Sequence, residues 1–146
     1  MASTCMEYAI SYLSRYPKTE QEIRIILYRK GYDTETIIST ITSLKKNNFI
    51  NDEKYIESYF YSEVEKNGRP VYVAKQKLLQ RGAPKHLIDE YVAQHEVEIS
   101  EGVYLGIQNQ IASYKKKGVE GFDIIQKLMK KGYRLQDIKK TLEKRD

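Results

Sequence analysis

Three glycines recur along this chain at nearly equal intervals, and each closes the same local pattern. Gly31, Gly82 and Gly132 are separated by 51 and 50 residues. A leucine lies four residues before each glycine, and an isoleucine lies six residues after it. These flanking residues are Leu27, Leu78 and Leu128 before the glycines and Ile37, Ile88 and Ile138 after them. Apolar residues at matching offsets around a recurrent helix stop indicate one structural unit used three times. Such arrays usually present an extended surface to a partner.

Helix signals fill the stretches between these glycines. Thr19 and Glu22 are spaced as a capping box, Pro70 suits the first turn of a later helix, and Ser100 is expected to cap another. The predicted helix before the last glycine has its apolar positions at Phe122, Ile125, Leu128 and Met129. The pattern predicts an all-α fold of nine short helices in three stacked groups. The repeats are expected at about 1–49, 50–99 and 100–146 of a single domain.

Composition narrows the class of protein. The 146 residues amount to about one domain, and no apolar run approaches the ~18 residues that a membrane span needs. No basic-then-apolar signal segment opens the chain, and the lone Cys5 fits a reducing compartment. We therefore expect a cytoplasmic protein with no membrane role. Cys5, His86 and His95 are a poor supply of zinc ligands, so no metal site is expected.

Catalytic motifs are missing from the sequence. It contains no glycine-rich phosphate loop, no G-x-S-x-G, no H-E-x-x-H and no calcium-loop pattern. The tightest acidic pair, Asp52 and Glu53, falls at a predicted helix start, where negative charge offsets the helix dipole. We predict neither enzyme activity, nor catalytic residues, nor a cofactor.

Positive charge is concentrated at the C-terminal end. Residues 1–112 carry 14 lysines and arginines against 15 acidic residues, whereas residues 113–146 carry 11 against 5. This asymmetry indicates an acidic or phosphate-bearing partner, although a solvated lysine-rich tail explains the composition equally well. The candidate contact residues on these helices are Lys115, Lys116, Lys117, Lys127, Lys130, Lys131, Lys139 and Lys140.

Tyrosine accounts for 13 of the 16 aromatic residues. Tyrosine can stack on unpaired bases or anchor a protein interface. Most tyrosines here occur at the helical spacing of core positions. Tyr72, Tyr114 and Tyr133, near helix ends and beside basic residues, are the better candidates for contact.

Three stretches resemble the RecX family of regulators of the RecA recombinase. Residues 12–23 read YLSRYPKTEQEI, with Leu27 and RKGY at 29–32 following. Residues 49–59 read FINDEKYIESY, and residues 128–138 read LMKKGYRLQDI. The resemblance implies an elongated, curved array of three tandem three-helix repeats. It also implies that the protein lies in the groove of the RecA–single-stranded DNA filament. There it would modulate, and usually inhibit, filament growth, strand exchange and the SOS coprotease activity, without catalysis or cofactor.

The second repeat departs from this family pattern. The family often reads Gly-x-Gly-Pro-x-Arg-Ile, whereas residues 68–73 here read GRPVYV. Tyr72 therefore occupies the place of the family's basic residue, and Arg69 is displaced to the position before the proline. Lys75, Lys77 and Arg81 are candidates to take over part of that role, and Arg134 joins the candidates in the third repeat.

These observations leave three functional hypotheses. The first is a monomeric regulator that binds the RecA filament and the single-stranded DNA within or beside it, and that inhibits it. The alternative is a general single-stranded nucleic-acid-binding module without a dedicated recombinase partner. The third is a helical adaptor with no nucleic-acid role, which the C-terminal charge excess disfavours.

Overall fold

The computed structural model describes residues 4–144, and this part of the chain forms helices joined by short turns, without strands. The all-α prediction is therefore confirmed. The fourth helix passes directly into a π-helical segment, Tyr61–Lys66. In chain order the helices are α1 Cys5–Arg15, α2 Glu20–Lys30, α3 Thr34–Lys46, α4 Asp52–Phe60, α5 Val71–Gln80, α6 Lys85–Gln94, α7 Glu96–Lys116, α8 Phe122–Lys131 and α9 Leu135–Glu143.

The chain divides into two compact units. The first contains the residues up to Glu57 together with Leu78–Ile88, and the second contains Ser58–Lys77 together with the residues from Asp89 onward. The helices α1–α3 therefore lie in the first unit and α7–α9 in the second. We refer to these two groups as the first triplet and the last triplet.

The three recurrent glycines end helices, as the sequence predicts. Gly31, Gly82 and Gly132 have φ angles of 106°, 83° and 109°, in the left-handed region that glycine adopts without steric cost. The amide of the residue after each glycine bonds back to the carbonyl of the leucine four residues before that glycine. The recurring leucine and glycine therefore build the same helix end three times.

The first unit buries an apolar cluster contributed by every helix of its triplet. Its buried members are Cys5, Ala9, Ile23, Leu27, Ile37, Ile41, Leu44 and Ile50. The predicted capping box at Thr19 is present, because its hydroxyl oxygen accepts the Glu22 amide at 3.1 Å and the Glu22 carboxylate accepts the Thr19 amide at 3.1 Å. The same buried hydroxyl donates to the Arg81 carbonyl at 2.6 Å.

Asp52 caps a helix other than its own. Its carboxylate accepts the amide of Glu20, the first residue of α2, at 3.0 Å. Burial raises the pKa of Asp52, while this amide counteracts the rise. Glu20 in turn pairs with Lys45 at 2.8 Å and with Arg24 at 3.0 Å. The hydrogen bond from Lys45 lowers the pKa of Glu20.

In the second unit, α7 crosses the π-helical segment at two glycines. The positions that a Cβ would take on Gly102 and Gly106 fall against the backbone of Glu65 and Gly68, at 2.7 Å from the α-carbon of each. Side chains larger than hydrogen would therefore separate these segments. Phe60 is fully buried beside this crossing, with its ring 5.3 Å from that of Tyr91.

Two sequence-based expectations about the last triplet are wrong. Ser100 does not cap α7, because that helix begins at Glu96 and Ser100 lies inside it. In α8 the buried residues are Ile124 and Leu128. Phe122 and Met129, which the sequence assigns to the apolar face, are 68% and 47% exposed.

Candidate partner and nucleic-acid interface

Of the basic candidates, Arg81 lies in the first unit. Its guanidinium donates to the Tyr55 hydroxyl at 3.0 Å, and its carbonyl accepts the Thr19 hydroxyl. Arg81 therefore links the start of α2 to α4 within that unit. The other candidates lie in the second unit, and most of them fall into two groups.

The first group flanks the turn between α7 and α8. Lys115, Lys116 and Lys117 are exposed at the end of α7, where cations suit the negative end of the helix dipole. Lys127 and Lys130 line a hollow of about 460 Å³ together with Gly118 and Val119. We call these five residues the α7–α8 lysine cluster. Within residues 4–144 none of the five forms an ion pair, so their charges are available to an anionic partner.

Lys131, in contrast to these five lysines, stabilises the packing of α8 on α7. Its ammonium group donates to the Gln110 side-chain oxygen at 2.6 Å and lies 5.2 Å from the centroid of the Tyr114 ring. A cation over an aromatic face is attracted by the ring quadrupole. Lys131 and Tyr114 therefore join α8 to α7, although their spacing in the sequence places both among the contact candidates.

The second group lies along a groove between the start of α5, the first half of α7 and the α8–α9 turn. The groove has a volume of about 440 Å³. It brings together Tyr72 and Lys75 from one stretch of sequence with Tyr133 and Arg134 from another. An extension of about 150 Å³ shares Arg134 and reaches Lys140 on α9. We call the groove and its extension the α5–α7–α9 groove.

Several basic residues near this groove are paired within the chain. Arg69 lies 3.1 Å from the Glu63 carboxylate, and Lys75 lies 3.4 Å from that of Asp89. Arg134 donates to both carboxylate oxygens of Asp137, at 3.0 and 3.3 Å. Lys77, Lys139 and Lys140 are exposed, and none of them has an ion-pair partner in the part of the chain that the structure describes.

Tyr133 is 7% exposed, and its hydroxyl donates to the Gly68 carbonyl at 2.6 Å. Burial raises the pKa of this phenol. The hydroxyl is thus engaged in holding the α8–α9 turn to the segment before α5. Tyr72, in contrast, is 63% exposed at the rim of the groove.

Two residues that line the groove are not among those predicted from the sequence. Lys144 lies 5.1 Å from the centroid of the Tyr104 ring, and both residues line the extension beside Lys140. Lys144 is the C-cap of α9 and follows Lys140 by four residues, and this i, i+4 spacing is the signal that could have identified Lys144. The position of Tyr104 within α7 carries no comparable signal.

The described residues hold no group of three or more histidine, cysteine, aspartate or glutamate side chains placed to bind a metal ion. Among residues 4–144, no helix combines the length and the apolarity that crossing a bilayer requires.

Comparison with known proteins gives one consistent result. A family model described as the first three-helix domain of RecX matches residues 5–44. A regulatory protein RecX of Streptococcus thermophilus is 27% identical over 139 residues, covering 92% of this chain and 52% of that protein. One of Clostridium botulinum is 29% identical over 144 residues, covering 95% of this chain and 67% of that protein. The chain thus spans about half the length of the streptococcal relative.

Solved structures show the same fold. A crystal structure of RecX from Lactobacillus salivarius superimposes with a TM-score of 0.79 at 20% sequence identity, covering 95% of this chain and 92% of that one. A second RecX crystal structure gives 0.73 at 19% identity, covering 96% of this chain and 72% of that one. The resemblance found in the sequence is confirmed: over more than nine-tenths of its length this chain is similar to regulatory proteins of the RecX family.

Proposed function

We propose that this protein is a regulator that binds the RecA–single-stranded DNA filament and inhibits its recombinase and SOS coprotease activities. Its relatives are named regulatory protein RecX. We further propose that the protein is a monomer of the cytoplasm without enzyme activity. Its three repeats are proposed to lie at about 1–49, 50–99 and 100–146. Binding alone would carry the function.

The α7–α8 lysine cluster is the observation that carries the proposal. Five exposed lysines flank the turn between α7 and α8 and form no ion pair with a carboxylate within residues 4–144, so together they produce a positive potential at this surface. A filament coated with phosphate and acidic protein surface is the kind of partner that such a potential attracts. Lys127 and Lys130 are central because they line the hollow at this turn.

The test compares two variants with the same change in charge. Lys127→Glu combined with Lys130→Glu reverses the charge of two of the five lysines of the cluster and leaves Lys131 in place to pack α8. Lys46→Glu combined with Lys54→Glu reverses two exposed lysines of the first unit. RecA-dependent ATP hydrolysis on single-stranded DNA is measured with the natural protein and with each variant, after circular dichroism has shown equal helix content.

We expect the natural protein and the first-unit variant to inhibit hydrolysis, and the cluster variant to inhibit only at much higher concentration. The salt dependence of binding should also weaken, because each lost phosphate contact lowers the slope of log K against log salt by roughly 0.7–0.9. Equal inhibition by both variants would contradict the assignment of the cluster.

Binding of naked single-stranded DNA separates the proposal from its alternative. A dedicated filament regulator should bind RecA-coated DNA more tightly than the same oligonucleotide alone in a gel-shift titration. Equal affinity for both would favour a general single-stranded nucleic-acid-binding module.

A further inference from the structure

The α5–α7–α9 groove differs from the α7–α8 lysine cluster in having an apolar floor. Val71 lines both the main part and the extension, together with Ile99 and Val103, each of which is 6% exposed. The combined volume of roughly 600 Å³ lies within the range of sites that enclose a ligand group. The floor is therefore suited to an apolar side chain.

The walls of the main part carry acidic residues as well as basic ones. Glu96 is exposed on one wall, and Asp137 holds Arg134 by two hydrogen bonds on another. Asp137 also lines the extension, and Arg134 balances its charge in both parts. A phosphodiester backbone that followed the main part would meet the exposed carboxylate of Glu96, which no ion pair within residues 4–144 neutralises. Because like charges repel, this wall is less suited to nucleic acid than the α7–α8 lysine cluster is.

The extension ends in positive charge. Lys140 lies in the last turn of α9 and Lys144 follows this helix as its C-cap, and neither forms an ion pair within residues 4–144. Lys144 is held over the Tyr104 ring, so its ammonium group remains beside the apolar floor. Carboxylates that entered here would find two cations not already neutralised by the fold.

The main part of the groove also presents an aromatic ring. Tyr72, at the start of α5, lines this part and is 63% exposed. Tyrosine is enriched at protein interfaces because its ring supplies contact area while its hydroxyl stays solvated. The groove thus offers, in order, an aromatic rim, an apolar floor with polar walls and a cationic end.

We propose that this groove docks a linear peptide segment of a partner protein, in which a large apolar side chain is followed by carboxylates. The apolar side chain packs on Val71, Ile99 and Val103, and the carboxylates pair with Lys140 and Lys144. This inference does not depend on the partner being a recombinase filament, because it concerns the chemistry of the groove alone.

The test is a selection of random linear peptides, displayed on phage, against the whole protein. Recovered peptides are synthesised with a fluorescent label, and their affinity is measured by fluorescence polarisation. We expect the recovered sequences to combine a large apolar residue with acidic residues, and substitution of either element by serine to abolish binding.

Two charge-reversal variants locate the site. Lys140→Glu combined with Lys144→Glu should weaken peptide binding by about tenfold or more, and Tyr72→Ala should weaken it less. Lys127→Glu combined with Lys130→Glu carries the same change in charge and should leave the affinity within about twofold, since it lies outside the groove. Peptide-induced NMR shifts should fall on the methyl groups of Val71, Ile99 and Val103.

Four results would overturn the proposal. They are no enrichment of peptides, recovered peptides that need only one of the two elements, equal weakening by both charge-reversal pairs, and shifts that leave the three methyl groups unmoved. Oligothymidine that competes with the peptide and loses affinity in Lys140→Glu with Lys144→Glu would assign the groove to nucleic acid instead.

Discussion

The first and last triplets share a backbone plan and differ in how they use their polar side chains. In both, the second helix ends at a glycine with φ near 106–109°, and the third helix buries an isoleucine six residues later, Ile37 or Ile138. In the first triplet every helix begins with a side-chain cap, from Thr4, Thr19 and Asp33. At the corresponding positions His95, Gly121 and Arg134 give no side-chain cap.

The two triplets also differ in how many of their basic side chains form ion pairs. In the first triplet Lys18, Arg24 and Lys45 pair with carboxylates of the same triplet. In the last triplet the lysines of the α7–α8 cluster and those at the end of the groove form no ion pair within the described residues. The first triplet thus neutralises three of its cations with its own carboxylates, whereas the last triplet pairs Arg134 with Asp137 and leaves these lysines available to a partner.

Gly106→Ala should have the largest effect, and it tests whether the last triplet depends on its close helix crossing. The added methyl group would lie 2.7 Å from the α-carbon of Gly68, which is backbone and cannot rotate away. We expect a loss of about 3 kcal/mol in the free energy of unfolding, at the upper end for overpacking. Urea unfolding measures the loss. Asn109→Ala, at an exposed position of the same helix, is the control and should not destabilise the protein.

Thr19→Ala should cost about 2 kcal/mol, because it removes an N-cap and also leaves the Arg81 carbonyl without its donor. Thr42→Ala changes an exposed threonine inside α3 and should be near neutral. Hydrogen exchange should localise the loss of protection to the first unit. A loss of protection spread over the last triplet as well would show that the two triplets do not differ in this respect.

Tyr133→Phe should cost about 1 kcal/mol, because it removes a buried hydrogen bond to the Gly68 carbonyl. The raised pKa of Tyr133 means that the folded protein holds the phenolic proton more tightly than the unfolded chain does. Its contribution is therefore intact below the ordinary value of 10.0 and is lost as the pH rises through the folded-state pKa. The free energy of unfolding, measured from neutral to alkaline pH, should decline less in Tyr133→Phe than in the natural protein. In the control Tyr61→Phe it should decline as much as in the natural protein.

Removing the cap of α3 and adding a cap to α9 should have the smallest effects on stability, in opposite directions. Asp33 accepts the Thr36 amide at 2.7 Å, so Asp33→Ala should lower the melting temperature slightly. Arg134 occupies the same position with φ −78° and ψ 142°, which is the extended backbone of an N-cap. Arg134→Ser should therefore stabilise the protein by about 0.5 kcal/mol, net of the exposed Asp137 ion pair. Arg134→Ala removes the arginine without adding a cap, and thermal unfolding of the three variants separates the two effects.

The parts of the fold that could be predicted are those set by neighbours in sequence. A glycine with an apolar residue on each side specifies a helix end locally, and the Thr19 capping box needs only three further residues. The burial of Ile124 in place of Phe122 was missed because it depends on where α8 begins. The cap that Asp52 gives to Glu20 joins residues 32 positions apart, which no local pattern encodes.

The candidate site shows the same limit. Charge counting identified the α7–α8 lysine cluster because exposure is the ordinary state of a lysine. Charge counting could not show that Lys131, unlike Lys130, is held on α7, because its hydrogen-bond partner Gln110 lies 21 residues away in the sequence. Nor could it place Tyr72 beside Arg134, because their proximity in the groove arises from tertiary packing.

Because of the π-helical segment Tyr61–Lys66, the loss of a residue and the gain of a residue should affect this part of the fold differently. Its wide turn accommodates a residue that an α-helix would not, and the first interval between the recurrent glycines is one residue longer than the second. Deleting one residue here would convert the wide turn into a regular α-helical turn and keep the downstream chain in phase, so that Gly68 would still face Gly106. Inserting a further residue would instead rotate the downstream chain by about 100° and turn Gly68 away from Gly106. The segment is therefore expected to tolerate a deletion better than an insertion, whereas the exposed turn at 118–121 has room for length variation of either kind.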